Sequence, residues 1–243
     1  MRQHRLYVDS PPVVGTELLV GPESARYLGK ALRMRIGESL QIFDGSGGFY
    51  LAEILSIERR SARLRVTSFH DEDVESPIQL TLLQAVSRGE RMDFVIQKAT
   101  ELGVTQIQPV LSEFGGVRLD AQRSASRLAH WTGIARNACQ QCGRNRVPDI
   151  AEPQGFGMAL KNLPAVDLAL LLDPGARAHN IDVAPRHVAL AIGPEGGFSE
   201  AEINLAREHG FKALRLGPRI LRTETAALAA ISVLQAKFGD FGA

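Results

Sequence analysis

The chain has 243 residues, 44% hydrophobic and 23% charged, with a formal net charge of +1. That length and apolar content support one large or two ordinary domains with a real core, and they exclude a disordered or fibrous chain. No run approaches the ~18 apolar residues of a membrane span, and the opening MRQHRLYVDS lacks the apolar core of a signal peptide, so no membrane is expected and the expected address is the cytoplasm.

The first 70 or so residues are β-rich. Short apolar or alternating runs occur at Ser39 to Phe43, Phe49 to Ile57 and Ala62 to Phe69, and one helix near Glu23 to Leu32 interrupts them. In the third run Ala62, Leu64 and Val66 point one way and Arg63 and Arg65 the other, as a half-buried strand requires. Asp44-Gly45-Ser46-Gly47-Gly48 suits a hairpin turn. A phosphate loop would need Lys-Ser/Thr after the glycines. A small barrel-like domain over 1–72 is expected, and the acidic, Pro-containing run from Asp71 to Pro77 marks a boundary with a second domain over 73–243.

Beyond the boundary, near-continuous apolar runs at 79–86, 106–111, 166–172, 187–192 and 212–216 predict buried parallel strands. Met92, Val95, Ile96, Ala99 and Leu102 repeat at helical spacing up to a Gly103 cap, and Ser199 with Glu202 forms a capping box for a helix ending at Gly210. The fold class is therefore α/β, a parallel-sheet domain behind a small β domain. Net charge does not mark a nucleic-acid binder, but residues 121–146 carry Arg123, Arg127, Arg136, Arg144 and Arg146 with no acidic residue, a candidate phosphate-binding stretch.

Three strand ends lead into unusual loops, and such ends are where parallel sheets bind ligands. They are Leu171-Leu172-Asp173-Pro174-Gly175, Ile192-Gly193-Pro194-Glu195-Gly196-Gly197-Phe198-Ser199, and Leu216-Gly217-Pro218-Arg219-Ile220-Leu221-Arg222-Thr223-Glu224-Thr225. Glycines let backbone approach a flat ligand, and the freed N–H and C=O groups can read an adenine edge. A single such loop would need no more than a tight connection. Three together point to a nucleoside-type ligand whose identity spacing does not give. The dinucleotide fingerprint GxGxxG is missing after the first strand.

The two cysteines, Cys139 and Cys142, form one CxxC at a helix end, with no second pair to complete a zinc site, so two reduced thiols are expected. His4, His70, His130, His179, His187 and His209 show no metal-ligand spacing, and no metal is expected. Trp131 shares an apolar helix face with Leu128 and Ala135, which suits core packing better than base stacking.

The segments GPEGGFSEAEI at 193–203 and LGPRILRTETAALAAI at 216–231 resemble the signature motifs of the SPOUT methyltransferases. SRGERMDFVIQKATELGV at 87–104 and QQCGRNRVPDI at 140–150 narrow the resemblance to the 16S ribosomal RNA uracil-N3 methyltransferase family. The resemblance implies a PUA-like RNA-binding barrel, a trefoil-knotted domain binding S-adenosyl-L-methionine, and a homodimer with active sites at its interface. It implies that the enzyme methylates N3 of a uridine in 16S ribosomal RNA, within the assembled small subunit. On the matching positions Leu172 would border the adenosine, Ile192, Gly193, Pro194, Glu195, Gly196 and Gly197 would cradle it, and Leu216, Gly217, Ile220, Leu221 and Thr225 would close it off.

The uracil N3 is a weakly acidic imide nitrogen, so a proton acceptor and a donor set stabilising the imidate charge are expected. Arg222, at the start of the last helix, is the leading candidate for substrate or transition-state stabilisation, or else makes a helix-start ion pair. Glu195 would contact the cofactor or a partner-subunit residue, or else bind loop N–H groups. Glu101 is a candidate general base, or else a solvated or paired carboxylate. Gln140, Gln141 and Arg144 continue a polar stripe with Asn137 and, with Arg146, form an RNA-facing surface or an ordinary exposed face. Arg2, Arg5, Lys30, Arg33 and Arg35 are candidate phosphate contacts, and Arg88 joins this RNA-binding set. Two alternatives remain: a SPOUT ribose 2′-O-methyltransferase acting on transfer or ribosomal RNA, and a catalytically silent RNA-binding factor.

Overall fold

The computed structural model describes residues 4–87, 89–116, 120–176 and 184–242. Arg2, Arg88 and His179, named above, lie outside the described residues. By internal contacts the chain divides into two compact units, one of residues 1–75 with 139–147, the other of residues 76–138 with 148–243.

In the first unit β1 (Arg5–Tyr7) and β2 (Glu17–Val20) precede α1 (Pro22–Arg26), which runs on as a π-turn over Tyr27–Ala31. β3 (Ser39–Phe43), β4 (Phe49–Ile57) and β5 (Ala62–His70) complete a five-stranded sheet in the order β1-β3-β4-β5-β2. Only β1 and β3 pair in parallel. The alternation expected of β5 is present: Ala62, Leu64 and Val66 are buried and Arg63 and Arg65 exposed. Ala25 and Leu28 of the helical segment join Leu40, Ile42, Ile54, Leu64 and others in one core. The loop from Asp44 to Gly48 is the β3–β4 hairpin connection, with the Asp44 carboxylate accepting from the N–H and hydroxyl of Ser46. Gly48 has φ +62, and a Cβ there would fall 2.6 Å from the His70 carbonyl oxygen, so no other residue fits.

Residues 139–147 supply the rest of this unit. Cys139 packs with Phe43 and Phe49, and burial pushes its thiol up to about 12. Arg144 is 3% exposed, and its Nε and Nη2 donate to the Glu75 carboxylate at 2.6–3.1 Å. Arg5 donates to Gln41 Oε1 (2.8 Å), to the Arg144 carbonyl (2.9 Å) and to Asn145 Oδ1 (2.6 Å), with its guanidinium 4.7 Å above the Phe43 ring.

The second unit begins with β6 (Gln79–Ala85), α2 (Arg91–Glu101), β7 (Gln106–Leu111) and α3 (Ala121–Cys142), whose last turn belongs to the first unit. It continues with β8 (Asp149–Ile150), β9 (Gln154–Gly155), α4 (Phe156–Lys161), β10 (Leu168–Leu172), β11 (His187–Ile192), α5 (Glu200–Glu208), β12 (Lys212–Leu214) and α6 (Thr223–Phe238). The sheet order is β12-β10-β11-β6-β7-β8, with β9 also pairing β7, and every pair is parallel. Successive strand residues face opposite ways. On one face Leu83, Ala85, Leu171, Ala189 and Ala191 pack with Phe156, Leu160 and Ala206 of α4 and α5. Elsewhere α2 packs against α6, and α6 against β11. Trp131 is buried in α3.

The Arg144–Glu75 pair generates a stability test. Glu75→Ala strands a buried guanidinium and is expected to lower unfolding free energy in urea by about 3–5 kcal/mol, whereas Glu75→Leu with Arg144→Met recovers most of that loss. A cost below ~1 kcal/mol for Glu75→Ala would show that the pair bears little of the unit's stability.

Candidate active site

Strand register builds the site. Leu172 pairs Leu214, Leu171 pairs Ala191, Ile192 pairs Gln84, and Gln84 pairs Pro109. The last residues of β12, β10 and β11 therefore share a row with the end of β6. Because the strands are parallel, the three glycine-containing loops leave from one edge of the sheet.

Those loops are tied to one another. Asp173 N donates to the Leu214 carbonyl (3.0 Å), linking the first loop to β12. In the second loop Gly197 N donates to the Pro194 carbonyl (2.9 Å), Gly197 has φ +73, and Phe198 stacks on Phe156 with centroids 4.4 Å apart. Ser199 caps α5 in the full capping box. Thr223 joins the second and third loops: its hydroxyl donates to the Gly193 carbonyl (2.7 Å) and accepts from Gln84 Nε2 (3.0 Å). Gln84 also donates to the Ala85 carbonyl, while its Oε1 has no partner, and neither has Glu224 Oε2, although both atoms are buried.

Around this edge Ile192 and Pro194 are buried. Leu172, Gly193, Gly197, Leu216 and Leu221 are half-buried, and Glu195, Gly196, Gly217, Ile220 and Thr225 are exposed. Ile220 is 87% exposed, an uncovered apolar side chain beside polar backbone. Gly193 and Gly196 are closely approached: a Cβ would sit 3.2 Å from Phe198 N at the first and 3.0 Å from Phe114 Cβ at the second.

The candidate acid–base groups separate. Arg222 is the exposed N-cap residue of α6, beside the loops. Glu195 forms an ion pair with Arg91 at the start of α2, rather than binding loop N–H groups. Glu101 does not join them. It ends α2, ten residues and about 15 Å of helix from Arg91, and accepts from Lys98 Nζ at 2.7 and 3.0 Å. The helix after β6 runs back from the loop edge, so its C-terminus lies at the other end of the sheet.

The expected RNA contacts also divide, and several are corrected. Lys30, Arg33 and Arg35 are exposed on the π-turn and the segment after it. Arg5 and Arg144 hold the first unit together internally, as described, and are not exposed phosphate contacts. Gln140 is likewise used inside that unit, its Oε1 accepting from Tyr7 N (2.9 Å). Gln141 is exposed. Arg146 is exposed but donates to Asp73 Oδ2 (2.9 Å) and the Ser46 carbonyl (2.8 Å). Among the described residues no three His, Cys, Asp or Glu converge as metal ligands, and no helix is long and apolar enough to cross a membrane.

Sequence reasoning missed Gln84, Arg91, Phe114 and the bridging role of Thr223. A polar Gln inside the apolar run 79–86 was the available signal, since a fully buried amide requires partners. Thr223→Val keeps the shape but removes both hydrogen bonds. It is expected to cost about 1–3 kcal/mol in denaturant unfolding and to speed amide exchange across 193–199. Unchanged exchange would show that the loop holds its form without the bridge.

Residues 74–235 match the family model described as RNA methyltransferase domain, and residues 20–67 match the RNA methyltransferase PUA domain. The chain is 35% identical over 239 residues to ribosomal RNA small subunit methyltransferase E of Buchnera aphidicola subsp. Schizaphis graminum, covering 97% of each chain. The crystal structure of ribosomal RNA small subunit methyltransferase E from Neisseria gonorrhoeae, bound to S-adenosyl methionine, aligns at TM-score 0.92 and 41% identity over 99% of this chain and 100% of that one. A Legionella pneumophila structure in complex with the bound cofactor SAM aligns at TM-score 0.94 and 40% identity, with the same coverage. With these matches running from end to end, the chain belongs to the ribosomal RNA small subunit methyltransferase E family.

Proposed function

We propose that this protein is an S-adenosyl-L-methionine-dependent methyltransferase that methylates N3 of a uridine in 16S ribosomal RNA. The observation that carries the reading is the row of parallel strand ends whose second and third loops Thr223 joins, in a chain that aligns from end to end with structures holding that cofactor. The residues fit such a molecule. Gly197, with nothing within 4 Å of where a Cβ would stand, leaves backbone open to a flat ring, and the unpartnered oxygens of Gln84 and Glu224 are acceptors for amino or hydroxyl donors, which the cofactor carries. Leu172, Ile192 to Gly197, Leu216, Gly217, Ile220, Leu221 and Thr225 would hold it, with Ile220 gaining the apolar cover it otherwise lacks. When bound, the cofactor supplies an electrophilic methyl group on a sulfonium.

The chain's own residues orient the acceptor and manage its charge. Arg222 sits where the positive end of α6 already favours an anion, so guanidinium and helix terminus together stabilise the negative charge that spreads onto the uracil oxygens as N3 loses its proton. Glu195, held by Arg91, keeps its carboxylate on the cofactor loop. The exposed cations Lys30, Arg33 and Arg35 position RNA through phosphate without reading its sequence. The working form is a homodimer acting in the cytoplasm on the assembled small subunit. Its support is the apolar outer side of the paired helices α2 and α6, where Phe94 is 45% and Val233 47% exposed. The trefoil knot is supported by β11, which enters between the earlier strands β6 and β10 before α6 packs back on it.

The test is to incubate purified protein with labelled S-adenosylmethionine and unmodified small ribosomal subunits, then identify the labelled nucleoside by mass spectrometry. N3-methyluridine is expected; label on a ribose, or no transfer, would overturn the reading. Arg222→Ala is expected to lower kcat by about a hundredfold with cofactor affinity retained, and full turnover in that variant would remove Arg222 from the mechanism.

A further inference from the structure

Beside the glycine loop lies a cavity of about 610 Å³ bordered by Gly89, Glu90, Arg91, Phe114, Gly115 and Glu195. We propose that this cavity receives the acceptor base itself, a uracil swung out of its stack, and that Phe114 is the ring on which the base lies. The proposal rests on the methyltransferase reading above and adds where the substrate binds and how it is selected.

The cavity has the size of a small-ligand site. Phe114 is 53% exposed at its rim, an aromatic face left in water, and enzymes that act on an extruded base commonly hold it against such a ring. The ring is positioned with respect to the cofactor loop. Glu113 N donates to Glu202 Oε1 (3.0 Å) in the capping box after that loop, and Phe114 packs close against Gly196, where a Cβ would stand 3.0 Å from its own. The base would therefore lie next to the loop assigned to the methyl donor.

The polar lining suits uracil. Its two ring carbonyls are acceptors flanking N3, and both gain negative charge when N3 loses its proton. Arg91 uses Nη1 on Glu195, and a guanidinium carries further donors beyond that one. α2 begins at Arg91 with no side-chain cap bond to its first N–H groups. Independently, Ser87 is 1% exposed and its hydroxyl has no partner, a buried donor two residues before the cavity wall, and the buried Ser112 hydroxyl beside Gly115 is unpartnered too. Cytosine would present an amino donor where uracil presents one of these acceptors, so the Arg91 guanidinium at the rim favours uracil.

The deciding experiment compares parental protein, Phe114→Ala and Phe114→Trp on unmodified small ribosomal subunits, with S-adenosylmethionine affinity measured by calorimetry alongside. Phe114→Ala is expected to lower kcat/KM for subunits by about tenfold or more while cofactor affinity is unchanged, and Phe114→Trp to restore it to within about twofold, because either ring offers a stacking face. Undiminished kcat/KM in Phe114→Ala overturns the pocket, as does a loss matched by weakened cofactor binding or one that Trp leaves uncorrected. Parental protein that forms no N3-methyluridine instead sinks the underlying reading, and the pocket with it.

Discussion

The hydroxyl of Thr223 is the contact on which the site depends. It gives its proton to the Gly193 carbonyl and takes one from Gln84, so the end of β6, the loop after β11 and the start of α6 meet at one oxygen atom. Glycine-rich loops carry a large conformational entropy, and three of them leaving one sheet edge would not hold a common shape unaided. Strand register brings the loops to the same edge, and the hydroxyl then limits how far they can separate. The bridge is also dry: Gln84 is fully buried, which strengthens both bonds and makes loss of either partner costly.

Charge is arranged differently in the two units. In the first, Arg5 and Arg144 are turned inward onto carbonyls, an amide and the carboxylate of Glu75, the exposed Arg146 is paired with Asp73, and Lys30, Arg33 and Arg35 face solvent. A nearly neutral chain can thus keep a local basic surface without a large overall charge. In the second unit, Arg222 stands at the positive end of a helix, where the dipole disfavours a cation and Glu224 of the same first turn favours one.

Much of this was legible in the sequence. The apolar runs located β6, β7, β10 and β11 within a residue or two because strands buried on both faces admit few polar positions, and the capping box at Ser199 marked α5 through its own chemistry. β8 and β9, two residues each, and the short α4 owe their form to neighbours rather than to pattern. Periodicity assigns a residue to a face but does not name its partner. Arg144 falls on the polar stripe as expected, yet Glu75, 69 positions earlier, takes it out of solvent. Gln84, a polar residue in an apolar strand, was passed over, and its partner lies 139 positions away. Glu101 takes the paired one of its two readings, because Lys98, three residues earlier on the same helix, holds its carboxylate.

The allocation of residues 139–147 to the first unit bears on how such a protein can be taken apart. The chain passes between the units at 75/76, 138/139 and 147/148, so no single cut yields two self-sufficient pieces. A fragment ending at Glu75 would keep Glu75 but lose Arg144, and would lay bare the side of Phe43 and Phe49 that Cys139 covers. Recombination that exchanged the first unit for another would need three matched junctions rather than one. Any alteration of the first unit that is to spare the second therefore has to leave all three crossings intact.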